Sequence, residues 1–548
     1  MQENKNLILA IVLCLIVLFG WGRFAEYMGW VTPPQPPAEA PATPSQPEPA
    51  PRAALAPPRV FNPAPGREFS VSTPLYDAVF YSGGGVLRSF TLKKFRSGIT
   101  PDSPLVNLVD QKTADVAPLG LVINGQPSWS YGQWSMEETG GVSAGEGQTA
   151  SFALAGIADN LRLRREFEIN GDNYLIREKL TVANSGDQAR SVRVAYTQAM
   201  DQRQSTGQYD SIIVAWDENG SLDDESSAKT LESTGVQASG NIYWAGPMTS
   251  YFLAAIAPEK TDGSTMRGRL TGGVYRVSLE EEELVLRPGE EKELRAAYWI
   301  GPKDRKMLDA APNQLAKSIN LGFFSIIGKG LIWLLEFFHG FIHNWGVAII
   351  LLTCLIKAVF WPLTAKSYAA MEKMKELNPL MQAIKEKCKG NREEMNKEVM
   401  ALYKTYKVNP MSGCVPMIIQ LPVFFGLYQA LLTSLALRHA SFITYLPGTH
   451  VIWLADLSAK DPLYITPIVM GLSMFLQQRM SPPPADPTQQ KVMLFLPLIF
   501  TVLFLNFPSG LVLYWLVNNI LSIFQQWLHI RETKKRKQAK AGASAKAN

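Results

Sequence analysis

Residues 343–363 contain a single charged side chain, Lys357, and uncharged apolar runs follow at 414–437, 462–478, 492–507 and 510–529. Another apolar run occupies 7–22. In a lipid interior every backbone N–H and C=O must be paired within the protein, so runs of this kind read as membrane helices. Several are shorter than the roughly 20 residues that cross a bilayer, which implies local thinning or shelter by neighbours. The expected fold is an α-helical polytopic bundle of six spans, five forming the core, joined to an all-β sandwich domain exported to the periplasm.

Charge supports two environments. Residues 30–320 hold 28 Lys+Arg against 35 Asp+Glu, and the remainder holds 25 against 13. Segment 364–410 carries ten basic and six acidic residues, and 529–548 carries seven and one. The excess of Lys and Arg marks the cytosolic side. With six spans, both termini, 364–411 and 479–491 face the cytosol, and 30–340 faces outward, in a bacterial inner membrane. Lys5 and Arg23 flank the first run, and Trp21, Phe24, Tyr27 and Trp30 read as an interfacial belt. Residues 1–29 therefore read as an uncleaved anchor. The alternative is a cleaved signal peptide, whose nearest small-x-small site, Ala38-Glu39-Ala40, lies far beyond the apolar run. Residues 319–342 pass for a span by apolarity, yet Ser325, Lys329, Glu336, His339 and His343 recur on one helical face. That pattern reads as an amphipathic helix lying in the interface.

Residues 30–66 hold a Pro-rich linker with 13 prolines between 33 and 65. Residues 67–318 read as all-β, with alternating stretches at 69–81, 161–169 and 174–183, and turns at Asn170-Gly171-Asp172-Asn173 and Asn184-Ser185-Gly186-Asp187. All five histidines (His339, His343, His439, His450 and His529) lie outside this domain. Histidine-dependent acid–base chemistry is thereby excluded from it. The acidic run Glu280–Glu283 reads as a solvated strand end. Segment 364–411 reads as a helical hairpin turning at Gly390-Asn391 and kinked at Asn378-Pro379. Met371, Met374 and Met381 mark one arm's apolar face and Met395 the other's. The stripes pack on each other, or the methionines form an adaptable surface. Segment 412–530 holds four further spans, and 531–548 forms a basic tail.

Lys357 is the most informative single residue. It lies about seven residues from the cytosolic end of its span, roughly 10 Å deep. A lysine there either snorkels to the headgroups or lines a cavity. Gln420, Ser522, Gln525 and Gln526 lie at similar depth, with Asn518 and Asn519 near mid-span and Thr353 one turn from Lys357. Taken singly, each amide is an interhelical hydrogen bond. Together with a cation they suggest a wet pocket open to the cytosol. Cys14, Cys354, Cys388 and Cys414 have no metal-ligand spacing, and Gly322-to-Lys329 has one intervening residue too many for a phosphate-binding loop. No cofactor, no metal and no small-molecule substrate is expected, and the chain does not read as an enzyme.

The stretches NPMSGCVPMIIQLPVF (409–424), FPSGLVLYW (507–515) and WPLTAKSYAAMEKM (361–374) resemble the Oxa/YidC/Albino family of membrane protein insertases. The resemblance is dense over 321–531 and looser over the rest. It implies a β-supersandwich domain and a five-helix core with a hydrophilic groove, whose cation would be Lys357. Many relatives carry arginine there, and lysine lacks its bidentate fork. Thr353, Gln420, Tyr514 and Asn518 would face or edge the groove, with Ser522 one turn beyond Asn518, and Trp515 stands where relatives often have a second tyrosine. The implied clients are nascent membrane proteins. The implied partners are the Sec translocon, the ribosome and the signal recognition particle pathway. Lys534, Lys535, Arg536 and Lys537 would meet ribosomal RNA or anionic lipids. A solute transporter and a membrane-anchored periplasmic chaperone are the competing functions.

Overall fold

The computed structural model describes residues 64–547, apart from 137–139, 159, 205–209, 389–391, 407–414 and 481–486. The first apolar run, the Pro-rich linker, the Gly390-Asn391 turn, Cys14 and Cys414 therefore lie outside the described residues. The described chain forms two compact units. One takes 64–334 together with 425–459, and the other takes 335–424 and 460–547.

The first unit is β-rich. Its largest sheet has nine strands, at whose centre Glu291–Pro302 pairs antiparallel with Leu175–Asn184 on one side and Phe252–Pro258 on the other. A six-stranded sheet is built around Val194–Asp201, and a five-stranded sheet around Tyr76–Tyr81. The sheets share one apolar core that includes Phe80, Phe152, Phe167, Tyr196, Tyr298 and Trp299. Leu161–Asn170 alternates inward and outward as its sequence demands, whereas Val194–Asp201 is buried along its whole length. A strand covered on both faces loses the alternation that makes it legible.

The stretch 69–81 is not one strand. It splits into Glu68–Ser72 and Tyr76–Tyr81, paired antiparallel across a turn at Thr73-Pro74-Leu75. The Thr73 hydroxyl accepts from the N–H groups of Leu75 and Tyr76, both at 3.1 Å, and fixes that turn. At the second expected turn, Asn184 ends its strand. Its side chain accepts from the Gly186 N–H at 2.9 Å and donates to the carbonyls of Gln188 and Leu286.

The centre of this core holds an ion pair. The Arg165 guanidinium donates to both Glu178 carboxylate oxygens, at 2.6 and 2.9 Å, and both side chains are fully buried. Its remaining N–H groups reach the carbonyls of Gly84, Gly85 and Leu119, and the Tyr298 hydroxyl donates to Glu178 at 2.6 Å. The pair thus ties the large sheet to the segments around Gly84 and Leu119. Buried charge is tolerated when its hydrogen bonds are completed in this way.

The run Glu280–Glu283 is not a uniformly solvated strand end. Glu283 pairs with Arg193 at 2.7 Å, but Glu281 is buried, and burial pushes its carboxyl up to about 7. A carboxyl whose folded pKa lies above its unfolded value destabilises the fold as it ionises. Stability is therefore undiminished near pH 4.5, falls as pH rises towards 7, and levels off above it. Glu281→Gln is expected to remove that fall and to raise stability at pH 8 by about 3 kcal/mol relative to the native chain. Thermal unfolding from pH 4.5 to 8 measures it. Parallel profiles for the two proteins would contradict it.

The second unit is helical. The helices of this region are α1 (Ser325–Ile342), α2 (Trp345–Lys387), α3 (Arg392–Thr405), α4 (Val415–Thr433), α5 (Ile465–Met480), α6 (Pro487–Phe504) and α7 (Ser509–Ala547). α1 and α4 each continue from one unit into the other. Asn344 caps α2 by accepting from the Val347 N–H at 3.0 Å, and Asp461 accepts from the Thr466 N–H at the start of α5. α7 packs against α2 and α5, and α5 against α6. α2 joins the expected second span and the first hairpin arm into one helix that continues through Pro362 and Pro379. α7 likewise continues through the expected basic tail.

Among the described residues, two helices, Ser325–Ile342 and Trp345–Ile384, can cross a membrane by length and composition, and shorter apolar helices occupy Ile418–Thr433 and Met493–Phe504. α5, with 16 residues, reaches about 24 Å, short of a hydrocarbon core of about 30 Å. α1 also carries an exposed apolar stripe, Ile326, Trp333, Phe337 and Phe341, beside exposed Lys329 and Glu336.

Candidate polar network between the helices

α7 places Tyr514, Asn518, Ser522 and Gln525 at intervals of four, four and three, so they share one helical face. All four are buried. A run of polar side chains on one face of an apolar helix must find partners on its neighbours. The Lys357 ammonium of α2 donates to the Ser522 hydroxyl at 2.7 Å, and that hydroxyl donates to the Asn518 carbonyl at 2.7 Å. The Gln420 amide of α4 donates to Asn518 Oδ1 at 2.5 Å and to the Tyr514 hydroxyl at 3.1 Å. Five of the seven residues expected to form the groove (Lys357, Gln420, Tyr514, Asn518 and Ser522) thus meet in one connected network. Among the described residues no carboxylate pairs with Lys357; its hydrogen-bond acceptor is a neutral hydroxyl.

The other two expected groove residues make no hydrogen bond to this network. The Thr353 hydroxyl donates to the Ile349 carbonyl of its own helix at 2.7 Å and is fully buried. That internal bond satisfies the hydroxyl without a partner helix. Trp515 packs against Phe424, Phe500 and Phe504, with ring centroids 5.1–6.1 Å apart, so it belongs to an aromatic cluster. Adjacent positions on a helix point about 100° apart, which separates Trp515 from Tyr514.

The network extends beyond those five residues, to Gln525 and Asn519, which the sequence placed with the pocket, and to Thr364, Trp361, Tyr368 and Ser473, which it did not. Gln525 donates to the Thr364 hydroxyl at 2.5 Å and to the Trp361 carbonyl at 3.3 Å. Gln525 Oε1 is buried without a hydrogen-bond partner. Asn519 donates to the Ser473 hydroxyl of α5 at 3.1 Å, and the Tyr368 hydroxyl reaches the Ser522 carbonyl at 3.5 Å. Thr364 stands seven positions from Lys357, on the same face of α2, and that spacing was the available signal for it.

The hairpin arms pack on each other. The Tyr403 hydroxyl contacts the Met381 sulfur at 3.2 Å, and Lys387 pairs with Glu398 at 2.8 Å. Met381 is buried, and Met371, Met374 and Met395 are half-buried. Met381 therefore acts as packing between α2 and α3. On the continuation of α7, Lys534 and Lys535 are exposed, while the side chains of Arg536 and Lys537 lie outside the described residues. No cluster of three or more metal-ligating side chains occurs among the described residues.

A helical unit stitched together by interhelical amides, a cation among apolar helices, and a β-rich domain define a class of integral membrane protein. The model of the 60Kd inner membrane protein family matches residues 337–537, and that of the YidC periplasmic domain matches 68–334. The membrane protein insertase YidC of Nitratidesulfovibrio vulgaris is 52% identical over 537 residues, covering 97% of this chain and 100% of the relative. The YidC proteins of Lawsonia intracellularis and Geobacter sulfurreducens are 47% and 38% identical, covering 97% and 83% of this chain and 100% and 84% of theirs. A crystal structure of an active YidC insertase is 18% identical over 86% of this chain and 94% of that one, with a TM-score of 0.35. The chain belongs to the YidC family of membrane protein insertases. Its function is membrane protein insertion in the inner membrane, and it is not an enzyme.

A double-mutant cycle on Gln525→Leu and Thr364→Val is expected to give a coupling of about 0.6 kcal/mol, the mean for interhelical hydrogen bonds in membranes, and no more than about 1.7 kcal/mol. Unfolding in detergent measures it, and zero coupling would mean that α2 and α7 are not joined there.

Proposed function

We propose that insertion proceeds along the network centred on Lys357. The chain then crosses the membrane six times, with both termini, the α2–α3 hairpin and the basic end of α7 in the cytosol and the β-rich domain in the periplasm. α1 lies in the interface, its Ile326–Trp333–Phe337–Phe341 stripe in the acyl region and Lys329 and Glu336 among headgroups. The observation that carries the mechanism is the Lys357–Ser522 hydrogen bond, a cation on one apolar helix held by a neutral hydroxyl on another. A neutral acceptor leaves the positive charge uncancelled, so it favours an incoming anionic or polar group.

A short polar flank of a nascent chain enters from the cytosol and exchanges part of its hydration for Lys357, Asn518, Gln420 and Gln525. That exchange lowers the cost of carrying polar groups through apolar surroundings. The short α5 thins the barrier near the path. The client's apolar segment passes along α4 and α7 into lipid. The membrane potential assists an acidic flank by ~2.3 kcal/mol per charge per 100 mV. No covalent step is involved. Lys534 and Lys535 offer exposed charge to ribosomal phosphates or anionic lipid headgroups. Clients delivered through the Sec translocon or the signal recognition particle pathway would meet the same groove.

Reconstitution into sealed liposomes, with a single-span client bearing an acidic outward flank and protease protection as the readout, tests this. Lys357→Ala is expected to lower insertion at least tenfold at equal protein level, and Lys357→Arg to retain most of it. Undiminished insertion by Lys357→Ala would remove the cation from the mechanism.

A further inference from the structure

The β-rich unit holds a second charged constellation that the insertion path does not use. Strand Val86–Arg96 ends in Lys93-Lys94-Phe95-Arg96, and the following loop is folded back on itself. The Ser97 N–H donates to the Pro104 carbonyl at 2.9 Å, the Ser103 N–H to Thr100 at 3.0 Å, and Arg96 to the Ser103 carbonyl at 2.7 Å. The turn Leu435–Leu437 that follows α4 belongs to the same unit, and Arg438 comes directly after it. Together they enclose a cleft of about 370 Å3, within the range of small-ligand sites.

Its lining contains no acidic residue and four permanent cations, Lys93, Lys94, Arg96 and Arg438. Lys93 is offset by Asp77 at 2.8 Å, and among the described residues no carboxylate forms an ion pair with Lys94, Arg96 or Arg438. His439, also in the lining, lies 3.9 Å from Asp456. Arg438 is oriented rather than free. One guanidinium nitrogen donates to the Arg96 carbonyl at 2.9 Å, and its plane lies over Phe252 and Tyr251 at 5.3 and 5.8 Å. Its Nε is buried without a hydrogen-bond partner. Beside these donors stand apolar side chains: Phe95 and Leu435, half-buried, and Ile99, 42% exposed.

Cations without a carboxylate ion pair, beside an apolar wall, match an anionic headgroup carrying acyl chains better than a free anion. In the membrane orientation proposed above, the Leu435 turn closes the outward end of the span formed by α4, at headgroup depth. We infer that this cleft binds the phosphodiester of an anionic glycerophospholipid from the outward-facing leaflet, through Lys94, Arg96 and Arg438, with Ile99 and Leu435 against the proximal acyl chain. The leaflet assignment rests on the membrane orientation proposed above; the binding chemistry does not.

The test is calorimetric titration of the full chain in neutral detergent with dihexanoyl-phosphatidylglycerol. Saturable binding is expected, weakened at least tenfold by Lys94→Gln with Arg96→Gln, retained by Lys94→Arg with Arg96→Lys, and unchanged by Lys534→Gln with Lys535→Gln. An unchanged thermal midpoint of the first variant without lipid establishes that it folds. Equal affinity for dihexanoyl-phosphatidylcholine, or an equal response to inorganic phosphate, would overturn the assignment to an anionic lipid. Binding undiminished in the Lys94/Arg96 variant would overturn the site. Because no insertion is measured, failure here is distinct from failure of the insertion mechanism.

Discussion

A lysine in an apolar helix forces the architecture around it. The Lys357 ammonium needs acceptors that a hydrocarbon surface cannot supply, and Ser522 of α7 supplies one. That contact draws α2 against α7. The amides continuing along α7 then require partners of their own: Gln420 on α4, Ser473 on α5 and Thr364 on α2. α7 thereby becomes the strut to which the others are fastened. Association of helices in lipid gains little from apolar burial alone, so such bonds carry a larger share of specificity than in a water-soluble core. The proposed mechanism uses the same feature: polar groups concentrated inside an apolar bundle would be both its fasteners and its means of rehydrating a client's polar flank.

The β-rich domain meets the problem of buried charge differently. Arg165 and Glu178 cancel each other, and their remaining valences are filled by Tyr298 and three backbone carbonyls. Such a pair organises a core without offering charge to a ligand. Lys357, held by a neutral hydroxyl, keeps its charge available. The contrast is between a cation neutralised within the fold and one whose charge the proposed mechanism uses.

Much of this was legible in the sequence, for identifiable reasons. Apolar runs and the Lys/Arg asymmetry mark the helices, and period-two alternation marks Leu161–Asn170. The polar network of the candidate site was legible where polar residues interrupt an apolar run, which is why Lys357, Gln420, Asn518 and Ser522 stand out. What was hidden depends on contacts between distant segments. The inward position of Glu281 and the hairpin inside 69–81 follow from sheet packing. Thr353 looks like a groove residue by spacing, but its hydroxyl is satisfied within its own helix. Trp515 follows a network residue yet faces Phe424, Phe500 and Phe504. The continuity of α2 through two prolines shows how tertiary support overrides local propensity.

The central claim is that a client's polar flank passes along the Lys357–Ser522 face of α7 rather than along its aromatic face. Disulfide trapping tests it directly. The four native cysteines are replaced, a single cysteine is placed by Ser522→Cys or by Phe500→Cys, and a stalled client carries one cysteine in its acidic flank. The account predicts a mixed disulfide at position 522 and little at position 500. Equal trapping at the two positions, or trapping at 500 alone, would contradict it.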